Sequence, residues 1–560
     1  MKVNAHISAI VAAATALAGL LAPSAAADTT SPDAASPDPS TSPVSRAGDA
    51  GSGSAPRFGD GRRHTIGYDR YSLKIDGKRE YIWSGEFHPF RLPNPDLWRD
   101  MLEKYKANGF NTVSFYFNWA QYSSKQGSYD FTGIRDVERL LDLAEEVGLY
   151  VIARPGPYIN AEVDSGGYPG WLQTQAGKAR TDADDYQAAW EEYFDAINPI
   201  IARHQLTDGG GSVILYQIEN EYTGTNATGQ AYMEELKSAV KADGIDVPLF
   251  HNDKGRELRW ACGKGAPDLY ATDTYPGTSV TDYEFLRDGT SFEPDRCGVG
   301  DRPFFWAEFQ GGWFQPWGGG LYEDNRNTYG PEFERITYGN NINNHFTMQN
   351  LYMLYGGTNI GWTADPNVVY TSYDYHAAFS EPRELTNKVP VVKQQGYLVD
   401  AVKDLRQLDN LSGQVEHSNS NVHVDGDVNP ETGAKVFFLR HEDIKSTSNE
   451  STSLKVEVPD GSYTVPQQAG TGIAVNGKDY KILIGGYDLG DQRLVYSTSE
   501  IYTHKRIAGR DVAILHNRKG EAGETVLRYS SRPQVKVLSG DVTSTWDEAT
   551  GDLRLNYVAD

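Results

Sequence analysis

Between about Tyr68 and Leu408 the chain alternates short apolar runs with amphipathic stretches, and this beat constrains its fold more than any other feature. Asn94 stands as an N-cap with Pro95 at the first helical position, Leu97, Met101 and Tyr105 share one face, and Gly109 ends the pattern. A strand over 112–117 follows at once. A helix then carries Ile134, Val137, Leu141 and Ala144 on one stripe, with Gly148 past its end and a strand over 150–154. The same reading places strands at 81–84, 213–218, 249–251, 269–272, 303–307 and 352–355. Eight strands with helices between several of them predict an α/β fold, a closed (β/α)8 TIM barrel; an open doubly wound sheet is the alternative with the same beat.

After about Gln414 the helical signal gives way to apolar runs at 435–440, 454–458, 480–484, 494–496, 512–515, 535–538 and 553–558, parted by turn residues such as Asn476-Gly477. The expected organisation is a barrel over 61–410 and an all-β C-terminal module over 411–560, packed against it as a support. Upstream, residues 1–27 combine Lys2, an apolar run from Ile7 to Leu21 and Ala25-Ala26-Ala27, the three regions of a secretory signal peptide. Cleavage is expected near Ala27-Asp28, since the apolar core is short for a membrane anchor. Residues 28–60 form a Ser/Pro/Asp-rich leader with too little apolar surface to offset its ordering entropy, and disorder is expected there.

The formal charge of −24 argues against nucleic acid or an anionic membrane as partner, because both require clustered Lys and Arg. A neutral substrate fits better. Cys262 and Cys297 are too few for a metal cage, no metal-ligand spacing occurs, and neither a metal nor a cofactor is expected. In an exported protein these two cysteines are expected to form a disulfide. Aromatic residues make up 12% of the chain, and some of them can stack on the apolar faces of sugars.

Two glutamates occupy matching settings: Glu221 in Ile218-Glu219-Asn220-Glu221-Tyr222 and Glu308 in Phe305-Trp306-Ala307-Glu308-Phe309. On the strand count Glu221 follows the fourth strand and Glu308 the seventh, at the carboxyl ends where barrel sites are assembled. Retaining glycosidases set two carboxyls roughly 5–5.5 Å apart, one attacking the anomeric carbon and one protonating the departing oxygen. Like charges that close cannot both ionise cheaply, so one carboxyl is expected to keep its proton near neutral pH. Glu221 is assigned the acid role and Glu308 the nucleophile. Glu219 competes for the first role, because strand alternation sends it to the same side as Glu221; the Asn220-Glu221 pair, which resembles the large retaining superfamily working from strands four and seven, favours Glu221.

Several ordered blocks make the resemblance specific. They include Gly85-Glu86-Phe87-His88-Pro89-Phe90-Arg91, Arg154-Pro155-Gly156-Pro157-Tyr158-Ile159-Asn160-Ala161-Glu162, Gly167-Tyr168-Pro169-Gly170-Trp171-Leu172, Glu308-Phe309-Gln310-Gly311-Gly312-Trp313, Gly356-Gly357-Thr358-Asn359 and Thr371-Ser372-Tyr373-Asp374-Tyr375. With these the chain resembles family 35 of the glycoside hydrolases, the β-galactosidase family. The resemblance implies an exo-acting enzyme that removes terminal non-reducing β-galactosyl units of oligosaccharides or polysaccharides; with the signal peptide and the carboxyl pair, a secreted, retaining exo-β-galactosidase is expected. The resemblance also implies a galactose pocket made by Tyr116, Asn160, the backbone of Ala161, Glu162, Asn220, Tyr275 and Tyr375.

A buried carboxylate such as Glu162 can accept two sugar hydroxyls through charge-assisted hydrogen bonds, which suits a galactosyl unit; pairing of Glu162 with Arg154 is the plainer alternative. Tyr373 and Tyr375 alternate to one face, and Tyr375 is favoured as the sugar contact. Trp313 and Trp171 are read either as an aglycone wall or as core. Two rival functions share the resemblance: an exo-β-glucosaminidase or β-glucosidase using the same carboxyl pair, and a non-catalytic carbohydrate-binding protein on the same fold.

Overall fold

A computed structural model of the protein describes residues 58–276, 296–361, 363–366 and 368–560. The expected signal peptide and the leader up to residue 57 lie outside the described residues. The last residues assigned to the leader are packed: Phe58 is buried with its ring 4.7 Å from that of Tyr150, and the Gly59 N–H donates to Glu145 at 2.7 Å. A single large aromatic is enough to end the leader there.

Eight parallel strands close a barrel in sequential order: β1 (Ile82–Phe87), β2 (Thr112–Tyr116), β3 (Tyr150–Gly156), β4 (Val213–Ile218), β5 (Leu249–Asp253), β6 (Leu269–Thr274), β7 (Phe305–Gln310) and β8 (Met348–Tyr355). The expected closed barrel is therefore the observed one, and the open sheet is not. The outer layer includes α1 (Trp98–Ala107), α2 (Val137–Val147), α3 (Asp184–Ala202), α4 (Ala227–Ala242), α5 (Pro331–Asn343) and α6 (Val389–Ala401). Asn94 caps as expected, its side chain accepting from the Asp96 N–H at 3.1 Å, but one 3-10 turn over Pro95–Leu97 precedes α1. Trp98, Met101, Leu102 and Tyr105 form the buried face of α1. Ile134, expected on the stripe of α2, sits exposed in a separate turn, because Asp136 caps the helix through the Arg139 N–H at 3.0 Å.

Three strands depart from their expected bounds for physical reasons. β7 begins two residues after Pro303, which has no N–H to give the ladder. β5 runs on past His251 through Asn252 and Asp253, and β8 starts at Met348 and includes Gln349 and Asn350; polar residues hid both extensions. All four polar residues are buried, and Asn252 and Asn350 share the face of Phe250 and Met348 inside the barrel. Ile82, Ile152, Ile214, Leu269, Phe305 and Met348 pack one end of the barrel's inner core. Toward the carboxyl ends the buried interior turns polar with Ser84, Glu86, Ser114, Arg154, Gln217, Asn252 and Asn350. That change of layer from apolar to charged makes one end of the barrel a floor and the other a site.

The C-terminal part is all-β, as expected. Its main sheet runs in the spatial order Asp409–Asn410, Val422–Val428, Lys435–His441, Tyr480–Asp488, Arg493–Ser497, Ala522–Arg528, Asp552–Val558, Val542–Asp547. The expected strand at 535–538 is absent: after Pro533 the segment pairs with no strand, and Val535, Val537 and Leu538 are exposed. The module shares the barrel's core, with Phe438, Tyr480, Ile482 and Ile484 in one cluster with residues of α5 and α6. A Cβ at Gly339 would stand 2.5 Å from the Tyr480 ring, so the absence of a side chain on α5 lets the sheet approach. Arg335 of α5 reinforces the contact through Asp479 at 3.0 Å, Gln394 at 3.0 Å and Glu500.

Candidate active site

Glu308 lies inside β7 rather than after it, and its direction depends on an irregularity. Phe305 and Ala307 face the inner core while Trp306 and Phe309 pack into the outer one. Strict alternation would send Glu308 outward with Trp306. The register against β6 slips between Trp306 and Glu308, so that Glu308 stands opposite Asp273, and the bulge turns its carboxyl into the barrel.

There Glu308 is held on both oxygens. Arg154 Nη2 donates to Oε1 at 2.6 Å, the Tyr116 hydroxyl donates to the same oxygen at 3.0 Å, and the Tyr275 hydroxyl donates to Oε2 at 2.5 Å. Arg154 also donates to Glu86 at 2.8 Å and to Gln217 at 2.8 Å, and its guanidinium lies over the Tyr116 ring at 3.8 Å. Burial pushes the Glu308 carboxyl up from its ordinary range, and Arg154 pulls against it. The guanidinium is committed to Glu86 and Glu308, so the alternative pairing of Arg154 with Glu162 does not occur.

Glu221 sits three residues beyond the end of β4, where alternation no longer applies: Glu219 and Glu221 both have left-handed backbone, with φ of 58° and 46°. Their carboxyls consequently part. Glu219 takes Arg180 at 3.0 Å and at 2.6 Å and the Tyr232 hydroxyl at 3.0 Å, on the helix side. Glu221 stays half-buried with Lys254 Nζ 3.6 Å from its Oε2, and it adds to the negative field at Glu308. Asn220 turns inward, accepting from Asn252 at 3.0 Å and Gln217 at 3.2 Å.

The loop after β3 supplies the next group. Asn160, Ala161 and Glu162 are successively left-handed, with φ of 54°, 50° and 46°, a run costing roughly 1–3 kcal/mol per residue and held only where surroundings over-determine it. Arg91 does much of the holding, donating to the Ala161 carbonyl at 2.6 Å and to that of Glu162 at 3.2 Å. The Glu162 carboxyl accepts from the Tyr373 hydroxyl, and burial raises its pKa to about 7. Tyr373 is thereby engaged with Glu162 and stacked under Arg91 at 3.6 Å, while Tyr375 packs on Tyr352 with ring centroids 5.6 Å apart. Both tyrosines need glycine neighbours: a Cβ at Gly356 would fall 1.8 Å from the Tyr373 carbonyl, and one at Gly312 1.8 Å from that of Tyr375. Trp313 meets Tyr275 edge-on at 4.9 Å and is partly exposed. Trp171 is a packing residue, edge-on to Trp119 at 5.8 Å with its N–H on Ser123 at 3.2 Å.

Tyr116, Asn160, Ala161, Glu162, Asn220, Tyr275 and Tyr375 thus all lie on β2 or on the loops at the carboxyl ends of β3, β4, β6 and β8, on the same face as Glu221 and Glu308. Glu86, Arg91 and Asp273 were not singled out from sequence, and Arg154 was read only as a possible partner of Glu162, not as the brace of Glu308. A charged residue closing an apolar strand, as in Tyr150-Val151-Ile152-Ala153-Arg154, was the available signal for that role of Arg154. Cys262 and Cys297 form the expected disulfide, Cα atoms 5.4 Å apart, joining the loop after β5 to the segment before β7.

A closed barrel whose strand ends carry one carboxyl after β4 and another on β7, braced by a buried guanidinium and two phenols, defines the class of β/α-barrel glycoside hydrolases. Residues 72–397 match the model of glycosyl hydrolases family 35, and the chain belongs to that family. Residues 406–560 match the β-galactosidase domain 2 model. Among curated relatives, the chain is 39% identical over 497 residues to a probable beta-galactosidase C of Talaromyces marneffei, covering 86% of this chain and 49% of that one. It is 37% identical to a probable beta-galactosidase C of Aspergillus oryzae, over 84% of this chain and 48% of the relative. To a probable beta-galactosidase B of Emericella nidulans it is 35% identical, over 90% and 51%. The chain spans about half the length of these relatives.

Proposed function

We propose that the protein is a secreted, retaining exo-β-galactosidase that cleaves terminal non-reducing β-D-galactosyl residues by double displacement. The observation that carries this reading is the bracing of Glu308: a carboxylate held by one guanidinium and two phenolic hydroxyls is oriented as a nucleophile, with Glu221 on the loop after β4 at the same end of the barrel. Glu308 attacks the anomeric carbon as the bond to the leaving oxygen breaks, and Glu221 gives its proton to that oxygen. Water, deprotonated by Glu221, then releases the sugar from Glu308 with net retention. Asn160, Glu162, Asn220 and Tyr375, with Tyr116 and Tyr275 at the nucleophile, receive the terminal galactose. The similarity to probable β-galactosidases supports the choice of sugar, and the Cys262–Cys297 disulfide supports export.

Turnover on matched nitrophenyl galactoside, glucoside and glucosaminide tests the sugar, and absence of galactoside hydrolysis rejects it. Glu308→Gln should lose several orders of magnitude in rate; a small loss would favour a carbohydrate-binding role. Glu221→Ala should regain turnover with azide and give a β-configured glycosyl azide, whereas an α product contradicts retention.

A further inference from the structure

Glu219, which competes with Glu221 for the acid role in the sequence, is given another task by the structure. Its carboxyl is buried and takes donors on both oxygens: Arg180 Nε at 3.0 Å and the Tyr232 hydroxyl at 3.0 Å on Oε1, Arg180 Nη2 at 2.6 Å and the Asn220 backbone N–H at 2.7 Å on Oε2. A carboxylate has about four lone-pair sites, so these contacts saturate it and leave none for a sugar.

Arg180 comes from the stretch between β3 and α3, and its guanidinium reaches past Glu219 to the next peptide. Its Nη2 also donates to the Asn220 carbonyl at 2.6 Å. In return the Tyr222 hydroxyl donates to the Arg180 carbonyl at 2.8 Å, and the guanidinium lies over the Tyr158 ring at 3.9 Å. Glu221 stands between the two residues so clamped. The turn it sits in is left-handed at Glu219 and at Glu221, a costly backbone that persists only where its surroundings hold it. From the barrel side the Glu219 N–H donates to the Gly156 carbonyl at 2.8 Å and the Glu221 N–H to the Asn252 carbonyl at 2.9 Å. From the helix side the hold is Arg180.

We propose that Arg180 and Glu219 form a positioning pair that fixes the turn from Glu219 to Glu221 and so aims the Glu221 carboxyl at the departing oxygen. This rests on the reading of Glu221 as the acid. The pair itself exchanges no proton with the substrate. Glu219 orients the planar guanidinium by meeting it with both oxygens, and the guanidinium carries that orientation to the peptide that joins Asn220 to Glu221. A lysine ammonium is a point charge and cannot serve both Glu219 oxygens and the Asn220 carbonyl in one fixed geometry. The Asn220 carboxamide is held separately, by Asn252 at 3.0 Å and Gln217 at 3.2 Å, so loosening the pair disturbs the acid more than the sugar contact. Proton transfer requires an approach of about 2.6–3.2 Å, and a misplacement of about 1 Å costs about 10²-fold in rate.

The test compares kcat/KM on phenyl galactoside, whose poor leaving group needs the acid, with kcat/KM on dinitrophenyl galactoside, which leaves without a proton. It is made on wild type, Arg180→Lys and Glu219→Gln, with near-UV circular dichroism verifying the fold. Both variants should lose about 10²-fold on the phenyl substrate, and their loss on the dinitrophenyl one should be smaller by about tenfold or more. In the Glu221→Ala chain, Arg180→Lys should cost no more than about threefold further on phenyl galactoside, because no acid is left to misplace. Equal losses on the two substrates, no loss on either, full additivity with Glu221→Ala, or variants that both fail to fold would assign the pair to structure alone and overturn the proposal. Failure of azide to rescue Glu221→Ala would instead remove the underlying reading of Glu221, whatever the Arg180 and Glu219 variants show.

Discussion

Replacing Arg154 with methionine tests the electrostatic interior of the barrel. The substitution keeps most of the side chain's stem and removes a guanidinium that reaches Glu86 at 2.8 Å, Glu308 at 2.6 Å and Gln217 at 2.8 Å, all inside the protein. A hydrogen bond to a charged group nets about 1.5–3 kcal/mol, but adding such values here overstates the effect, because the stranded carboxyls can take up protons. Removal of one partner from a buried ion pair costs about 3–5 kcal/mol, and we adopt that range for neutral pH. In the variant the carboxyl of Glu308 loses the cation that opposes its protonation and holds its proton to higher pH. The variant is therefore least impaired under acid conditions and loses stability as pH rises through the range where Glu308 ionises.

Urea unfolding at about pH 5 and pH 8 should show that widening gap. Glu308 protonated is no nucleophile, so kcat on nitrophenyl galactoside at neutral pH should fall by about 10³ or more. The double variant Glu86→Gln/Arg154→Met should recover part of the stability and none of the activity. A stability loss under about 1 kcal/mol at pH 8, or kcat within about tenfold of wild type, would refute the view that Arg154 holds the nucleophile ionised.

Tyr275→Phe removes the donor to Glu308 Oε2; kcat/KM should fall about 10²-fold and the acid limb of its pH profile should move upward, since that hydrogen bond opposes protonation of Glu308. Glu162→Gln tests the carboxyl raised to about 7. Its folded pKa lies above the unfolded value, so wild type should be stabilised relative to the variant below about pH 4.5 and lose that advantage as pH rises through 7. Glu162 is partly open to solvent, which limits the change to about 1 kcal/mol by urea titration. A flat difference would remove Glu162 from the titrating groups. Lys388→Met strands Glu334, 2.8 Å away and buried, and releases the Gly311 and His376 carbonyls that Lys388 holds at 2.7 Å and 3.1 Å. Stability should fall about 3–5 kcal/mol, and Glu334→Met in the same chain should restore much of it.

The β/α beat, the helix N-cap at Asn94 and the all-β character after Gln414 were legible because each is written in neighbouring residues, through period, capping and turn chemistry. The extensions of β5 and β8 were not, since Asn252, Asp253, Gln349 and Asn350 look like loop until the barrel and its outer helices bury them. The segment 535–538 shows the converse, an apolar run with no neighbour to pair.

Sequence alone also marked the carboxyls Glu221 and Glu308 and the order of the pocket blocks around them. What it left open was direction. A bulge in β7 turns Glu308 inward, and left-handed backbone at Glu219 and Glu221 separates two carboxyls that alternation would keep together. Local pattern sets which residues reach the end of a strand, but only the closed barrel, by bringing Arg154, Tyr116 and Tyr275 from other parts of the chain to within hydrogen-bond distance of Glu308, decides which of them face one another and with what charge.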